Sequence, residues 1–245
     1  MIDPRLHVIG KRLEKIKKII AVSGGKGGIG KSTVASVLAL CMAKNGYKAG
    51  LLDLDLSGPS THVILGIEGT YPEEDKGLIP PEVNGIKYMS IIYFAGNNPS
   101  PLRGNDISNI IIELLTITIW GQLDVLILDM PPGISDSILD VIRLIKKMEF
   151  LVVAVPSKVA IGVMKKELKI LMELNIPVMG VLENMRRKES PLLSDMIDDL
   201  NIPILGSIDL DQAIEDATGN MDRLTETGFY KQLDRVFNAR TKDML

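Results

Sequence analysis

The chain has 245 residues, 46% of them hydrophobic and 24% charged, with a formal net charge of -3. That is ordinary globular composition, and the slightly acidic balance gives no general pull toward nucleic acid or an anionic membrane. A single cysteine, Cys41, excludes an intramolecular disulfide framework and any metal site built from several cysteines of one chain.

Residues 1–17 read as an N-terminal extension. They are polar and basic, with no apolar core, so no signal peptide is expected and the protein is placed in the cytoplasm. The run Lys11, Arg12, Lys15, Lys17 and Lys18 reads as a solvated helix face. From there short β-type runs alternate with helical patterns. Strands are expected at 18–23, 48–55, 86–92, 124–130, 149–156, 176–182 and 202–208. Helices are expected near 31–45, 105–119, 136–147, 159–174, 191–200, 209–217 and 225–240. Residues 66–85, rich in glycine, proline and charge, read as a long surface excursion. Most strands are apolar on both faces, as parallel strands covered by helices on each side must be. The expectation is an α/β fold: a single doubly wound, mostly parallel sheet flanked by helices, in one domain spanning 1–245. No apolar stretch reaches the roughly 18 residues of a membrane helix. The richest, IIIELLTITIW at 110–120, is broken by Glu113 and two threonines.

The first strand runs into the glycine-rich stretch AVSGGKGGIGKST, Ala21 to Thr33. Gly25 to Ser32 fit the phosphate-loop pattern G-x-x-x-x-G-K-[ST], with a strand before and a helix after. Gly25, Gly27, Gly28, Ile29 and Gly30 supply backbone N–H groups that turn inward around phosphate oxygens. The helix N-terminus adds a partial positive charge. Lys31 is expected to reach the β- and γ-phosphates, Ser32 to ligate Mg²⁺, and Thr33 to donate to the α-phosphate. Lys26 is not required by the pattern. Either it is a solvated loop lysine, or it projects to the phosphates of a second subunit and neutralises charge that develops during phosphoryl transfer.

Carboxylates stand at two strand ends, where open parallel sheets bind ligands. Asp55 is the candidate for orienting the attacking water. Asp53 supports Mg²⁺ or its waters, or else caps the loop by accepting backbone N–H bonds. Asp129 follows four apolar residues and has the shape of a Walker B carboxylate for the metal shell. Pro131-Pro132-Gly133 then turns the chain abruptly, and a Gly133 N–H facing the γ-phosphate would make this segment a switch. Asp136 reads as the N-cap of the next helix.

The stretch KGGIGKS resembles the deviant Walker A motif of the P-loop ATPase group that includes MinD, ParA, the nitrogenase iron protein and Mrp/ApbC. That resemblance implies ATP as ligand, an intersubunit role for Lys26 and a homodimer closing around two nucleotides. DLDLSGPSTHVILGI, the run from LRGN through WGQLDVLILDMPPGISD, NIPVMGVLENM and NIPILGSIDLD are similar to Mrp/ApbC segments in order from about 18 to about 220. In that group the asparagine after PVMGVLE contacts adenine, which carries over to Asn184, with Asp209 a weaker candidate on the same side. The Mrp/ApbC type implies Mg-dependent ATP hydrolysis linked to iron–sulfur cluster assembly or transfer, with an iron–sulfur scaffold or client protein as partner.

One departure matters. Cluster-carrying members place Cys-x-x-Cys soon after the Asn-Met pair, whereas here ENM is followed by RRKESPLLSDMID. A cluster bridging two subunits takes two thiolates from each. Cys41 supplies one, within an apolar helix where cysteine packs as a small hydrophobe. The ATPase half of the family role transfers and the cluster-ligand half does not, so the expectation is a cluster held by a partner or not at all. Arg186 to Lys188 occupy the vacated position, as a docking patch or a solvated loop. The alternative is a ParA/MinD-like positioning ATPase, which needs a surface-binding element. The C-terminal stripe Phe229, Leu233, Val236 and Phe237 is the candidate for it, and packing onto the parent sheet is the competing role. A metabolic kinase would need a substrate-pocket motif, and none is found. No nucleic-acid or membrane partner is expected.

Overall fold

The computed structural model describes residues 4–95, 104–133, 136–187, 193, 197 and 200–240. In chain order they form α1 (Arg5–Leu13), β1 (Ile16–Ser23), α2 (Lys31–Lys44), β2 (Ala49–Asp53) and α3 (Thr61–Leu65). Next come β3 (Glu73–Glu74), β4 (Leu78–Ile79), β5 (Glu82–Val83), β6 (Ile86–Ser90), α4 (Ile92–Ala95) and α5 (Gly104–Ile117). Then follow β7 (Leu123–Asp129), α6 (Asp136–Leu144), β8 (Met148–Ala154), α7 (Lys158–Glu173), β9 (Val178–Arg186) and β10 (Ile204–Asp209). The described chain closes with α8 (Ala213–Ala217), α9 (Met221–Glu226) and α10 (Gly228–Asn238).

The main sheet has eight strands in the order β10-β9-β8-β1-β7-β2-β6-β5. Every pairing is parallel except β5 against β6. The chain leaves β1 to build β2 and β6 on one side. It returns to insert β7 beside β1, then crosses to β8 on the other side. That reversal opens a crevice beyond the carboxyl end of β1, the place where doubly wound sheets bind ligands. The period-2 alternation of strands sorts side chains into two layers. Ile19 and Ala21 face the layer built with α1, α5, α6 and α7. Ile20 and Val22 face the layer built with α2, α8, α9 and α10. Helix α2 is apolar around its whole circumference, and Val34 to Met42 are buried without a break between sheet and α10. Cys41 is 1% exposed within that run; burial, then the nearby Asp234 carboxylate, push its thiol pKa up, which keeps it a packed thiol.

The structure differs from the sequence reading in several places. Residues 66–85 are not a bare excursion. They carry the β3–β4 hairpin and β5, which pairs with β6 at the sheet edge. These strands are two residues long and none of their residues is buried, so they leave no apolar alternation to read. Strand β9 continues to Arg186, which puts Asn184 on the strand, not after it. The helix expected at 209–217 begins only at Ala213, because β10 runs to Asp209. The helix expected at 225–240 is two helices. Thr227 separates them, its hydroxyl donating to Leu224 O at 2.7 Å and accepting from Tyr230 N at 3.1 Å. The helix expected at 191–200 lies outside the described residues except for Leu193, Ile197 and Leu200, all buried.

The basic N-terminal run is tied down more than a solvated face would be. Ile9 and Leu13 of α1 are core residues. Arg12 donates to Thr116 O and to Lys76 O, each at 3.1 Å. Lys17 pairs with Asp124 at 2.8 Å and Lys18 with Glu149 at 2.5 Å, both lysines lying on β1. At the other end, Phe229, Leu233 and Phe237 are buried in the second layer. The C-terminal apolar stripe is therefore packed against the parent fold. No helix among the described residues is long and apolar enough to cross a membrane.

Candidate functional site

The loop from Gly24 to Gly30 links β1 to α2 at the centre of the sheet. Gly30 has φ +84° and stands at the N-cap of α2, a left-handed conformation that glycine adopts without strain. A side chain there would also collide with the Asn184 amide. The amides of Lys31, Ser32 and Thr33 lie in the first turn of α2, where a helix has no internal acceptors to offer them. They are the donors a phosphate group needs. Lys31 is buried, with its stem inside the protein, whereas Lys26 is exposed on the outer rim of the loop. A cleft of about 270 Å³ opens over the loop, bounded by Gly28, Lys31, Thr33, Asp55, Ser60 and Pro132.

Parallel register brings the carboxylates to the same end of the sheet. Val22 aligns with Asp129 across β1 and β7, and Asp53 aligns with Asp129 across β2 and β7. Asp53 is fully buried. Its carboxylate accepts from Asp55 N at 3.1 Å, Thr61 N at 3.2 Å and the Thr61 hydroxyl at 2.7 Å. Thr61 is in turn 2.9 Å from the buried Tyr88 hydroxyl. Asp55 is half-buried at the cleft wall, and its Oδ1 accepts from Ser57 N and Gly58 N at 3.3 Å each. Asp53 thus shapes the loop that presents Asp55.

Asp129 is different. It is fully buried, and neither carboxylate oxygen has a hydrogen-bond partner within 3.5 Å among the described residues. Burial, then repulsion from Asp53, hold its pKa above the usual carboxylate range; the Ser32 hydroxyl and the Lys31 ammonium work against that rise. Asp53 is raised as well, chiefly by burial, with the Thr61 hydrogen bonds opposing. A buried carboxylate left without partners is costly, and a cation beside it removes the cost. Two orphaned oxygens next to a serine hydroxyl are hard donors of the kind Mg²⁺ takes. Mg²⁺ in general fills its other positions with phosphate oxygens and water.

The segment after β7 also touches the loop. Met130 N donates to Val22 O at 3.1 Å, and Gly133 N to Gly24 O at 3.4 Å. Helix α6 opens at Asp136, whose side chain lies outside the described residues. On the other flank, Asn184 Nδ2 donates to Ile29 O at 2.9 Å, in a buried bond that ties β9 to the phosphate loop. Asp209 stands exposed one strand farther out, its amide donating to the Gln232 side chain at 3.1 Å. Arg186 lies at the end of β9, 3.8 Å from the Glu183 carboxylate, and Arg187 is exposed; Lys188 is outside the described residues. Sequence reasoning missed Thr61 and a buried acid on α7, Glu167. The second left a trace: Glu167 occupies an apolar position of the stripe Ile161, Met164, Leu168 and Leu171.

A family model described as ParA, NUBPL iron-transfer P-loop NTPase, matches residues 15–244. The chain belongs to this family. A relative named as an iron-sulfur cluster carrier protein, from Methanocaldococcus jannaschii, is 35% identical over 227 residues, covering 86% of this chain and 78% of the relative. The Pseudomonas fragi protein of the same name is 40% identical over 177 residues, covering 71% of this chain. The matched region spans 62% of the Pseudomonas fragi protein and 49% of its Aquifex aeolicus counterpart. Among solved structures, a nucleotide-binding protein from Archaeoglobus fulgidus in complex with ADP superposes with TM-score 0.76 at 31% identity, covering 90% of this chain and 93% of that one. The cell-division ATPase MinD of Pyrococcus furiosus, at 18% identity and TM-score 0.69 over 93% and 99% of the two chains, shares the fold. Family membership and the central sheet agree with the sequence resemblance.

Proposed function

We propose that this protein is a Mg-dependent, ATP-hydrolysing homodimeric switch that serves iron–sulfur cluster assembly or transfer. The observation that carries the catalytic part is Asp129, whose two buried oxygens have no hydrogen-bond partner among the described residues and lie beside Ser32 at the mouth of a phosphate loop. The loop amides and Lys31 hold the phosphates. Ser32 and Asp129 would hold Mg²⁺, which when bound neutralises charge on the phosphate oxygens. Asp55, on the cleft wall, orients the attacking water. Asp53 is assigned to shaping that loop and to the electrostatics of the metal shell. Lys26, exposed at the rim, reaches the phosphates of a second copy. Gly133 reports the γ-phosphate to the surface by exchanging its carbonyl partner. Residues 1–245 act as one ATPase domain in the cytoplasm.

The cluster part is supported by relatives named as iron-sulfur cluster carriers. This chain has one cysteine, buried in α2, so the cluster is cargo whose thiolates come from a partner scaffold or client. The packed C-terminal stripe argues against the positioning alternative, since the surface that would bind a membrane is spent on the core. The test is hydrolysis by the purified protein with Mg²⁺ and with EDTA, alongside anaerobic reconstitution with iron and sulfide. Mg-dependent turnover with no retained cluster is expected. Absence of turnover sinks the ATPase reading, and a stoichiometric cluster lost in Cys41→Ala sinks the partner-ligand reading.

Asn184 reads the base in this scheme. Its Nδ2 is committed to Ile29 O, which leaves its carbonyl oxygen as acceptor for the adenine N6 amino group. Guanine presents an oxygen there. Asn184→Ala is expected to weaken ATP binding about tenfold, the worth of one buried hydrogen bond, and to shrink the preference for ATP over GTP. Competition titrations with the two nucleotides measure both effects. An unchanged preference removes Asn184 from base recognition.

A further inference from the structure

The phosphate loop is backed by α7. A Cβ built on Gly25 would stand 2.8 Å from Val163 Cγ1 and 2.9 Å from Met164 N, so loop and helix are in direct contact. One turn beyond Val163, on the buried stripe of α7, comes Glu167. It is 2% exposed, and neither carboxylate oxygen has a hydrogen-bond partner among the described residues. Ser23 Oγ, at the end of β1, is also buried and without a partner there. Burial raises the Glu167 pKa, and the Ser23 hydroxyl and the Lys31 ammonium oppose that rise by favouring the charged carboxylate. Keeping an acid at this position is costly, and a leucine would suit the stripe's packing better.

We propose that Glu167 is a positioning residue for nucleotide release: a fixed acid behind the phosphate loop that competes with bound phosphate for the Lys31 ammonium. The proposal rests on the reading of the loop as the nucleotide site. With the loop empty, the carboxylate supplies Lys31 with an opposite charge inside the protein. With phosphates bound, it repels them through the protein interior, where the effective dielectric is low and salt screens little. Its charge therefore weakens the grip on nucleotide and speeds release, the step that limits many enzymes of this kind.

The test is displacement of a fluorescent methylanthraniloyl-ADP, preloaded with Mg²⁺ on the purified full chain, by excess ADP. Two variants are compared with wild type. Glu167→Gln keeps the shape and removes the charge; release is expected to slow about tenfold, with Tm equal to or above wild type. Glu167→Asp keeps the charge and is expected to release within about twofold of wild type. A merely structural acid gives the opposite pattern: a lower Tm for the glutamine variant, with release unchanged or faster. Equal release from wild type and the glutamine variant overturns the proposal, as does equal slowing in both variants. If wild type retains no nucleotide, the site reading itself fails. If wild type retains it and Glu167→Gln behaves identically, only the role of Glu167 fails.

Discussion

Lys26→Ala is expected to bind Mg-ATP about as tightly as wild type, yet to lose at least about 100-fold in turnover, since a charge supplied in trans to a transferring phosphoryl group is worth that much or more. The basis is position. Lys31 is buried beneath the loop and belongs to its own site, whereas Lys26 is exposed on the rim. Removing an exposed side chain leaves the amide cradle and the α2 terminus intact, so affinity survives. Under the proposed homodimer, what is lost is the contribution to a second copy. Analytical ultracentrifugation with a slowly hydrolysed ATP analogue is expected to show wild type as dimer and the variant as monomer. Turnover at the wild-type rate in Lys26→Ala would return that residue to the role of a solvated loop lysine.

Asp129→Asn is expected to move stability and activity in opposite directions. In the metal-free protein, burial and repulsion from Asp53 raise the Asp129 pKa. The folded state then holds a proton that the unfolded chain gives up. Stability from this group is present at low pH and is lost as pH rises from the ordinary carboxylate range through the raised value. The asparagine variant has no such loss. In EDTA at pH 8 its Tm should exceed wild type by roughly 3–6 °C, the shift that about 1–2 kcal/mol gives a chain of this size, and the gap should narrow at pH 5. Turnover with Mg-ATP should fall by about 100-fold or more, because the proposed metal shell loses an anionic member. Calorimetry across pH and a steady-state assay read the two effects separately. A variant that is destabilised at pH 8, or one that hydrolyses normally, rules out this account of Asp129.

The parallel sheet was readable because its strands are continuous apolar runs. Runs such as VLIL at 125–128 and FLVVA at 150–154 are apolar without a break. The phosphate loop was readable because backbone geometry demands glycine at fixed spacing. What escaped depended on contacts across long sequence distances. That Asp53 accepts from Thr61 depends on a residue eight positions on, whose hydroxyl reaches it only where α3 begins. That Asn184 braces Ile29 requires β9 to run farther than its apolar portion, into the polar residues Glu183 to Arg186. The β3–β4 hairpin and β5 are held by backbone pairing of two residues each, which has no side-chain signature. Glu167 stands as an acid on an apolar helical stripe, but the contact of that helix with the phosphate loop at Gly25 has no trace in the sequence.

The two borders of the main sheet bear on self-association. Long parallel sheets expose unpaired strands during folding, and an open border invites another chain to extend them. Here one border is the two-residue β5, reversed in direction, with Glu82 exposed. At the other, α10 lies against β10: Val236 abuts Gly206, and Gln232 accepts from Asp209 N at 3.1 Å. The short reversed β5 blunts one border and Gln232 occupies the Asp209 amide at the other, which disfavours strand-by-strand polymerisation in a chain that is 46% hydrophobic. An association that has to come apart again is better built on side-chain faces than on a backbone ladder.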